Sequence, residues 1–282
     1  MSRAGRVPSP RPFFLPGTSG NLFALYFQPH PPRATTRSIL FFPPFAEELN
    51  KSRRMIALQA RRFAEAGFPV LVVDLFGTGD SAGNFGDARW ELWRDDMQHA
   101  GRWLAATGVQ SIIAWGLRSG ALLALDVARE LPLPIERLLF WQPVIRGEQM
   151  MTQFLRLRLA ADLTTPGEKV STQDLRAMLA RGTPLEVAGY TLSPELVQRI
   201  DALDLKNMVA SDTPLIDWLE IASTADRPLA PASRGVIDVW KQQGVDVRAA
   251  TVVGEPFWNS LEIEVAPALI KRSMLCITER RI

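Results

Sequence analysis

A strand, a sharp turn and a helix follow one another in Ser111-Ile-Ile-Ala-Trp-Gly-Leu-Arg-Ser-Gly-Ala-Leu-Leu-Ala-Leu125. The segment begins with a short apolar run, continues with two glycines four positions apart and ends with helix-forming residues. So tight a turn needs residues without bulk two positions before and two positions after its apex, because the strand and the helix cross closely there. Gly116 and Gly120 meet that need, and Arg118 is therefore the predicted apex.

A second register would place Ser119 at the apex. It would put Leu117 two positions before the apex and Ala121 two positions after it. Alanine is tolerated at such a crossing, but leucine fits badly, so the Arg118 register is favoured on steric grounds. In that register Ser119 follows the apex, and its backbone N–H, rather than its hydroxyl, points into the site.

The composition is that of an ordinary globular protein. The chain has 282 residues, 47% of them hydrophobic and 22% charged, which is enough for one large α/β domain with an inserted piece. A net charge of +2 is too small to indicate a nucleic-acid partner. No apolar run approaches the ~20 residues of a membrane span, and the first residues lack a signal-peptide core. The sequence therefore predicts a cytoplasmic protein without a transmembrane segment.

Apolar strands alternate with helical segments along most of the chain. This alternation predicts an α/β fold with a mostly parallel central sheet and helices on both faces. Residues 146–211 break the alternation, so the predicted domains are a core of residues 1–145 and 212–282 and an inserted helical cap of residues 146–211. An apolar stripe in the cap either packs against the core or lines an acyl pocket; it consists of Met150, Met151, Phe154, Leu155, Leu157 and Leu159.

Metal-binding patterns are weak in this sequence. Asp96 and His99 are three positions apart on the polar side of a helix predicted over residues 87–107. No third ligand accompanies them, and a solvated pair is the favoured interpretation. The single cysteine, Cys276, has no nearby His or Cys and is interpreted as a structural thiol. Neither a metal nor a cofactor is expected.

The turn at Arg118 is similar to the nucleophile elbow of the α/β-hydrolase fold, Gly-x-Ser-x-Gly, with arginine in the place of serine. Hydrolases of that fold take a catalytic acid and then a catalytic histidine from loops further along the chain. Asp226 lies where the acid is expected, but the loop after the final strand, Gly254-Glu-Pro-Phe-Trp-Asn259, contains no histidine. A guanidinium stays protonated, so Arg118 cannot attack a carbonyl. Nucleophile and base are both missing.

The remaining candidates surround this elbow. The loop after the third strand, at Phe45 and Ala46, supplies one oxyanion-hole N–H in this fold. The residues predicted at catalytic positions are Arg118, Ser119, Asp226 and Glu255, and the predicted ligand-binding residues are Phe45, Ala46, Glu47, Arg118, Ser119 and Trp258. A buried guanidinium without a partner is costly, so we expect a carboxylate beside Arg118, with Glu255 the first choice and Asp226 the second.

Five segments carry a narrower likeness: Pro43-Pro-Phe-Ala-Glu-Glu-Leu-Asn-Lys-Ser-Arg-Arg54, Asp74-Leu-Phe-Gly-Thr-Gly-Asp-Ser-Ala-Gly83, Trp115-Gly-Leu-Arg-Ser-Gly120, Trp141-Gln-Pro143 and Gly254-Glu-Pro-Phe-Trp258. Together they resemble the bacterial exosortase A system-associated hydrolases, in particular the second type. The resemblance implies a cytosolic protein linked to exopolysaccharide production and to the sorting of exported proteins. It does not imply hydrolysis, because such family names follow the fold.

Three functional hypotheses follow from these residues. The favoured one is a non-hydrolytic protein that binds a small anionic or acylated ligand, including an acidic saccharide, or a protein partner. The alternative is an active ester or thioester hydrolase that uses Ser119, or a water activated by Glu255 or Asp226. The weakest is carbohydrate cleavage by paired carboxylates among Glu47, Glu48, Asp226 and Glu255.

Overall fold

The computed structural model describes residues 9–29, 35–162, 170–210, 212–224 and 226–278. The strands are β1 (Arg11–Pro16), β2 (Asn21–Phe27), β3 (Arg37–Phe42), β4 (Val70–Val73), β5 (Ser111–Leu117), β6 (Ile135–Trp141), β7 (Leu185–Val187), β8 (Tyr190–Leu192), β9 (Leu215–Ala222) and β10 (Val247–Val253). The helices are α1 (Glu47–Glu65), α2 (Trp90–Ala106), α3 (Gly120–Val127), α4 (Gly147–Asp162), α5 (Thr172–Ala180), α6 (Pro194–Asp201), α7 (Pro231–Gln242) and α8 (Pro267–Thr278).

Eight strands form one sheet in the order β1-β2-β4-β3-β5-β6-β9-β10. The strand β2 runs antiparallel to both of its neighbours, and the pairs from β4 across to β10 are parallel. The predicted mostly parallel sheet is thus confirmed. Because the carboxyl ends of β3, β5, β6, β9 and β10 meet at one edge, the loops that follow them are brought together there.

Strand β5 shows how the sheet is covered on both faces. Ile112 and Ala114 belong to the apolar core under α2, α3 and α7, whereas Ile113 and Trp115 belong to the core under α1 and α8. All four side chains are buried, as expected when successive residues point to opposite faces of a sheet with helices on each side. The near-continuous apolar run of β5 therefore reflects burial on two faces.

The elements α4 to α6, with the hairpin β7–β8, lie between β6 and β9 in the chain and pack against one another. Helix α4 contacts α5, α6 and β7, and α6 also contacts α2 of the core. In the apolar stripe of α4, Met150, Met151, Phe154 and Leu155 are buried, whereas Leu157 remains exposed. The stripe is mainly a packing surface. Among the described helices, none is long and apolar enough to cross a membrane.

Candidate functional site

The apex of the turn after β5 is Arg118. Its φ is +55°, in the left-handed region, whereas Ser119 has the helical angles φ −63° and ψ −21°. A Cβ on Gly116 would lie 2.8 Å from the Ala121 nitrogen, and one on Gly120 would collide with the Phe42 carbonyl. Both glycines are therefore required by the crossing of strand and helix, and Ser119 is excluded as the apex.

The Arg118 backbone is fixed to the segment that leaves β6. Its N–H donates to the Trp141 carbonyl at 2.9 Å, and its own carbonyl accepts from the Val144 N–H at 3.2 Å. A left-handed conformation costs a non-glycine residue on the order of 1–2 kcal/mol, so it persists only where surrounding contacts impose it. These two hydrogen bonds are such contacts.

Three groups surround the Arg118 guanidinium. Its Nε donates to Glu48 Oε1 at 3.1 Å, its Nη1 donates to the Gln142 carbonyl at 3.3 Å, and its Cζ lies 5.4 Å from the Trp258 ring centroid. Only 17% of the Arg118 side chain is exposed. The expected carboxylate is present, but it is Glu48 from the first turn of α1.

The choice of Glu255 or Asp226 as that carboxylate was wrong. Both side chains are exposed. Within the described structure, neither Glu255 nor Asp226 forms a hydrogen bond with Arg118 or Ser119. Their loops follow β10 and β9, whereas α1 directly follows the oxyanion loop and carries Glu48 across the elbow. The loop after β10 does reach the site, because its Trp258 ring lies beside the Arg118 guanidinium.

Glu48 is incompletely satisfied. Burial raises the pKa of its carboxyl, and the charge and hydrogen bond of Arg118 offset part of that rise. Its second oxygen, Oε2, is buried and has no hydrogen-bond partner within the described residues. The Arg118–Glu48 pair therefore does not use the full hydrogen-bonding capacity of either group. Leaving a buried carboxylate oxygen without a hydrogen bond costs free energy.

Backbone strain concentrates around this pair. Ala46, Arg118 and Gln142 follow β3, β5 and β6 closely, and each has a positive φ, of 50°, 55° and 44° respectively. Gln142 is held there because its N–H donates to the Leu219 carbonyl and its Oε1 accepts from the Ile221 N–H, both at 2.8 Å. Such conformations cluster at binding and catalytic sites. Gln142 was not predicted as a site residue; its position directly after a strand was the available signal.

The cavity beside Ser119 is nearly closed. It measures about 10 Å³ and is lined mainly by the loop around Phe45 and by Trp90 and Trp93. Such a volume holds about one water molecule and no acyl chain. The Phe45 ring packs edge to face against Phe154 of α4, with centroids 5.1 Å apart. Helix α4 thus reaches over the loop at Phe45, and aromatic side chains fill the space that an acyl pocket would need.

Other predicted residues lie nearby with different roles. Phe45 and Ala46 are buried in the turn before α1, and Ser119 is buried at the start of α3. Glu47 is half-buried. The pKa of the Tyr190 hydroxyl is raised mainly by the burial of that hydroxyl and next by the negative charge of Glu47. Two acids in the first turn of α1 suit the partial positive charge of a helix N-terminus.

The interpretation of Asp96 and His99 as a solvated pair was wrong. Asp96 is buried, accepts a 2.7 Å hydrogen bond from the Phe76 N–H, and has its pKa raised by burial to about 7. His99 instead contacts Thr18 on the surface. Across the ranges that the structure describes, no group of three or more His, Cys, Asp or Glu side chains is placed to hold a metal ion.

Comparison with known proteins gives the fold. No family model and no curated protein matches the sequence. Est1E from Butyrivibrio proteoclasticus, solved with ferulic acid bound, is 18% identical with a TM-score of 0.62 over 95% of this chain and 100% of its own. The alpha/beta hydrolase domain-containing protein 10 from mouse is 14% identical with a TM-score of 0.58, over 95% of this chain and 96% of its own.

A further similar structure is an alpha-beta serine hydrolase homologue from Coxiella burnetii, 14% identical with a TM-score of 0.54 over 95% of each chain. The strand order, the strained apex after β5 and these similarities define an α/β-hydrolase fold. Identities this low establish the fold alone, since one fold supports many functions.

Proposed function

We propose that this chain is a non-hydrolytic protein of the α/β-hydrolase fold that binds a small anion at its elbow. The observation that carries the proposal is the Arg118–Glu48 ion pair, which occupies the position of the nucleophile. The protein already holds one carboxylate there, its own. A ligand carboxylate or phosphate that replaced Glu48 would meet the same guanidinium and the N-terminus of α3.

The absence of hydrolysis is supported by the chemistry of the site. The arginine has no lone pair to attack with, and the Trp258 ring offers no proton acceptor. Within the described residues, no carboxylate or imidazole is hydrogen-bonded to Ser119. An active hydrolase built on Ser119 or on a water near Glu255 or Asp226 would need groups that lie apart here.

The size of the cavity favours a small anion over an acylated ligand. An acyl chain would have to displace Phe45 or Phe154 from the aromatic packing beside the 10 Å³ cavity. Displacing Glu48 costs less, because only one hydrogen bond joins it to Arg118 and Oε2 is unpaired. A ligand that satisfies both of its oxygens therefore has an advantage over the internal carboxylate.

The biological setting of this binding role is also part of the proposal. The resemblance to exosortase A system-associated hydrolases supports a link to exopolysaccharide production and a cytoplasmic location. An acidic saccharide or a protein partner from that system is the ligand it suggests. The break in the alternation of strands and helices supports a division into a core of residues 1–145 and 212–282 and a cap of residues 146–211.

The first test is binding of acetate, inorganic phosphate and glucuronate by calorimetry. Glu48→Gln removes the competing charge and should tighten binding of at least one anion about tenfold, whereas Arg118→Gln should abolish it. Equal affinities in all three proteins would overturn anion binding at the elbow.

A second test addresses hydrolysis directly. A serine-directed fluorophosphonate should leave the protein unlabelled, because no base activates a serine here. Stoichiometric labelling of Ser119 by peptide mass spectrometry would replace the proposal with the active-hydrolase alternative. Arg118→Ser is the matched variant: without a histidine it should remain unlabelled as well.

A further inference from the structure

A second cleft opens beside the elbow and has different chemistry. The Arg53 cleft, as we call it, is lined by Asn50 and Arg53 of α1, Thr78 and Asp80 of the loop after β4, and Tyr190 of the β7–β8 hairpin. Its volume is about 370 Å³, within the range of small-ligand sites. It adjoins the closed cavity, yet Arg118, Glu48 and Ser119 do not line it.

The polar groups of the cleft are connected in a row. Arg53 donates through Nη1 and Nη2 to the two oxygens of Asp74, at 3.2 and 3.1 Å, and through Nε to Asn50 Oδ1 at 3.4 Å. Asn50 Nδ2 in turn donates to the Tyr190 hydroxyl at 3.1 Å. The Tyr190 hydroxyl accepts that bond and keeps its proton to donate. Two of the five guanidinium N–H groups remain as well, so the row is preorganised to donate.

The loop after β4 approaches this row as closely as the backbone allows. Gly79 has φ +53°, and a Cβ on it would collide with the Asp74 carboxylate and the Arg53 guanidinium. The Asp80 N–H donates to Asp74 Oδ2 at 3.1 Å, which fixes the loop and leaves the Asp80 side chain at the cleft wall. A glycine with positive φ is typical of places where a backbone must approach a buried group or a ligand.

The charges of the cleft disfavour an anion. Arg53 is neutralised by Asp74, whose side chain is 2% exposed. Asp80 adds a negative charge at the wall, and Glu47 is near enough to act on the Tyr190 hydroxyl, whose pKa is raised first by burial and then by that carboxylate. The ligand that fits is therefore uncharged and rich in groups that both donate and accept hydrogen bonds.

The Tyr190 ring adds an apolar surface to these hydrogen-bonding groups. The ring is held by edge contacts with Phe85 at 4.9 Å and Phe154 at 6.3 Å between centroids. A sugar ring presents hydroxyls around its edge and C–H groups on its face, which matches an aromatic wall beside a polar row. We propose that the Arg53 cleft binds an uncharged saccharide unit. This binding does not depend on the proposed function, because the two sites share no charged residue.

The test uses the full chain and a panel of glucose, galactose, mannose, N-acetylglucosamine and glucuronate, measured by saturation-transfer NMR and calorimetry. At least one neutral sugar should bind with a millimolar dissociation constant, and glucuronate should bind more weakly at this cleft. Tyr190→Phe keeps the ring contacts and should weaken neutral-sugar binding about five- to tenfold. Arg118→Gln, which lies outside the cleft and also removes anion binding at the elbow, should leave neutral-sugar binding unchanged.

A second variant keeps the test decisive if Tyr190→Phe proves unstable. Asp80→Asn retains the backbone bond to Asp74 and should narrow the preference for glucose over glucuronate at least threefold. Absence of saturation transfer to every neutral sugar of the panel overturns the inference. Equal affinity in the parent and Tyr190→Phe proteins, or loss of sugar binding in Arg118→Gln, does so too.

Discussion

Two arginine–carboxylate pairs connect α1 to the loops at the sheet edge, and they differ in how fully they are satisfied. In the pair Arg53–Asp74, the carboxylate accepts from two guanidinium nitrogens and from the Asp80 N–H. In the pair Arg118–Glu48, the carboxylate accepts one hydrogen bond and leaves Oε2 without a partner. A saturated bidentate pair fixes a loop, whereas an unsaturated pair at a strained apex can exchange its carboxylate for another.

Asp96 is a buried carboxyl group with no guanidinium beside it in the described structure, so its charge is compensated even less than the carboxylates of the two pairs. The pKa of Asp96 is raised by burial from its ordinary 3.8 to about 7. The folded protein therefore holds a proton that the unfolded chain releases, and stability falls as pH rises from about 4 to 7. A difference of this size corresponds to roughly 4 kcal/mol in the free energy of unfolding.

Asp96→Asn should remove this pH dependence while its amide oxygen still accepts from the Phe76 N–H. Denaturant melts at pH 4 and pH 8 check the prediction. The variant should match the parent at pH 4 and exceed it by about 4 kcal/mol at pH 8. A variant that is equally or less stable at pH 8 would mean that Asp96 is ionised and satisfied in the fold.

The next largest effect on the free energy of unfolding is expected at the saturated pair, Arg53–Asp74. Asp74→Ala removes three hydrogen bonds to a buried charge and should destabilise the fold by about 3 kcal/mol, somewhat less than a fully buried pair because 37% of the Arg53 side chain is exposed. Asp80→Ala is the matched control on the same loop. Its side chain makes no hydrogen bond in the described structure, so the loss should stay within about 0.5 kcal/mol. Similar losses in both variants would contradict the structural role assigned to Asp74.

Much of this fold was readable from the sequence, because its signals are local. The glycines around Arg118, the apolar run of β5 and the alternation of strands and helices each depend on neighbouring residues. The arginine at the apex and the lack of a histidine in residues 254–259 were equally visible. Asp96 was misread because helical periodicity gives the face of a helix, but not whether a loop such as Leu75–Phe76 covers that face.

The partner of Arg118 required distances that a sequence does not contain. Glu48 precedes Arg118 by 70 positions, and it meets the guanidinium because β3 and β5 are neighbours in the sheet. Parallel neighbours bring the loops after them together, so the oxyanion loop was a better place to seek a carboxylate than the loops after β9 and β10. The filled cavity was equally hidden, since Phe45, Phe85 and Phe154 come from three separate segments.

The smallest expected effect belongs to the elbow pair and separates the two kinds of pair most directly. Glu48→Gln leaves Arg118 with the Gln142 carbonyl, the Trp258 ring and some exposure to water, so the loss should be about 1 kcal/mol. Arg118→Gln should cost about 1–2 kcal/mol, since burial already favours the protonated form of Glu48. The double variant should reveal a coupling energy near 1 kcal/mol, against about 2 kcal/mol or more for the corresponding cycle at Arg53 and Asp74. Denaturant unfolding of the two sets of variants measures both cycles. If the elbow coupling equals or exceeds the other, Glu48 is bound too firmly to yield its place to a ligand, and anion exchange at Arg118 is wrong.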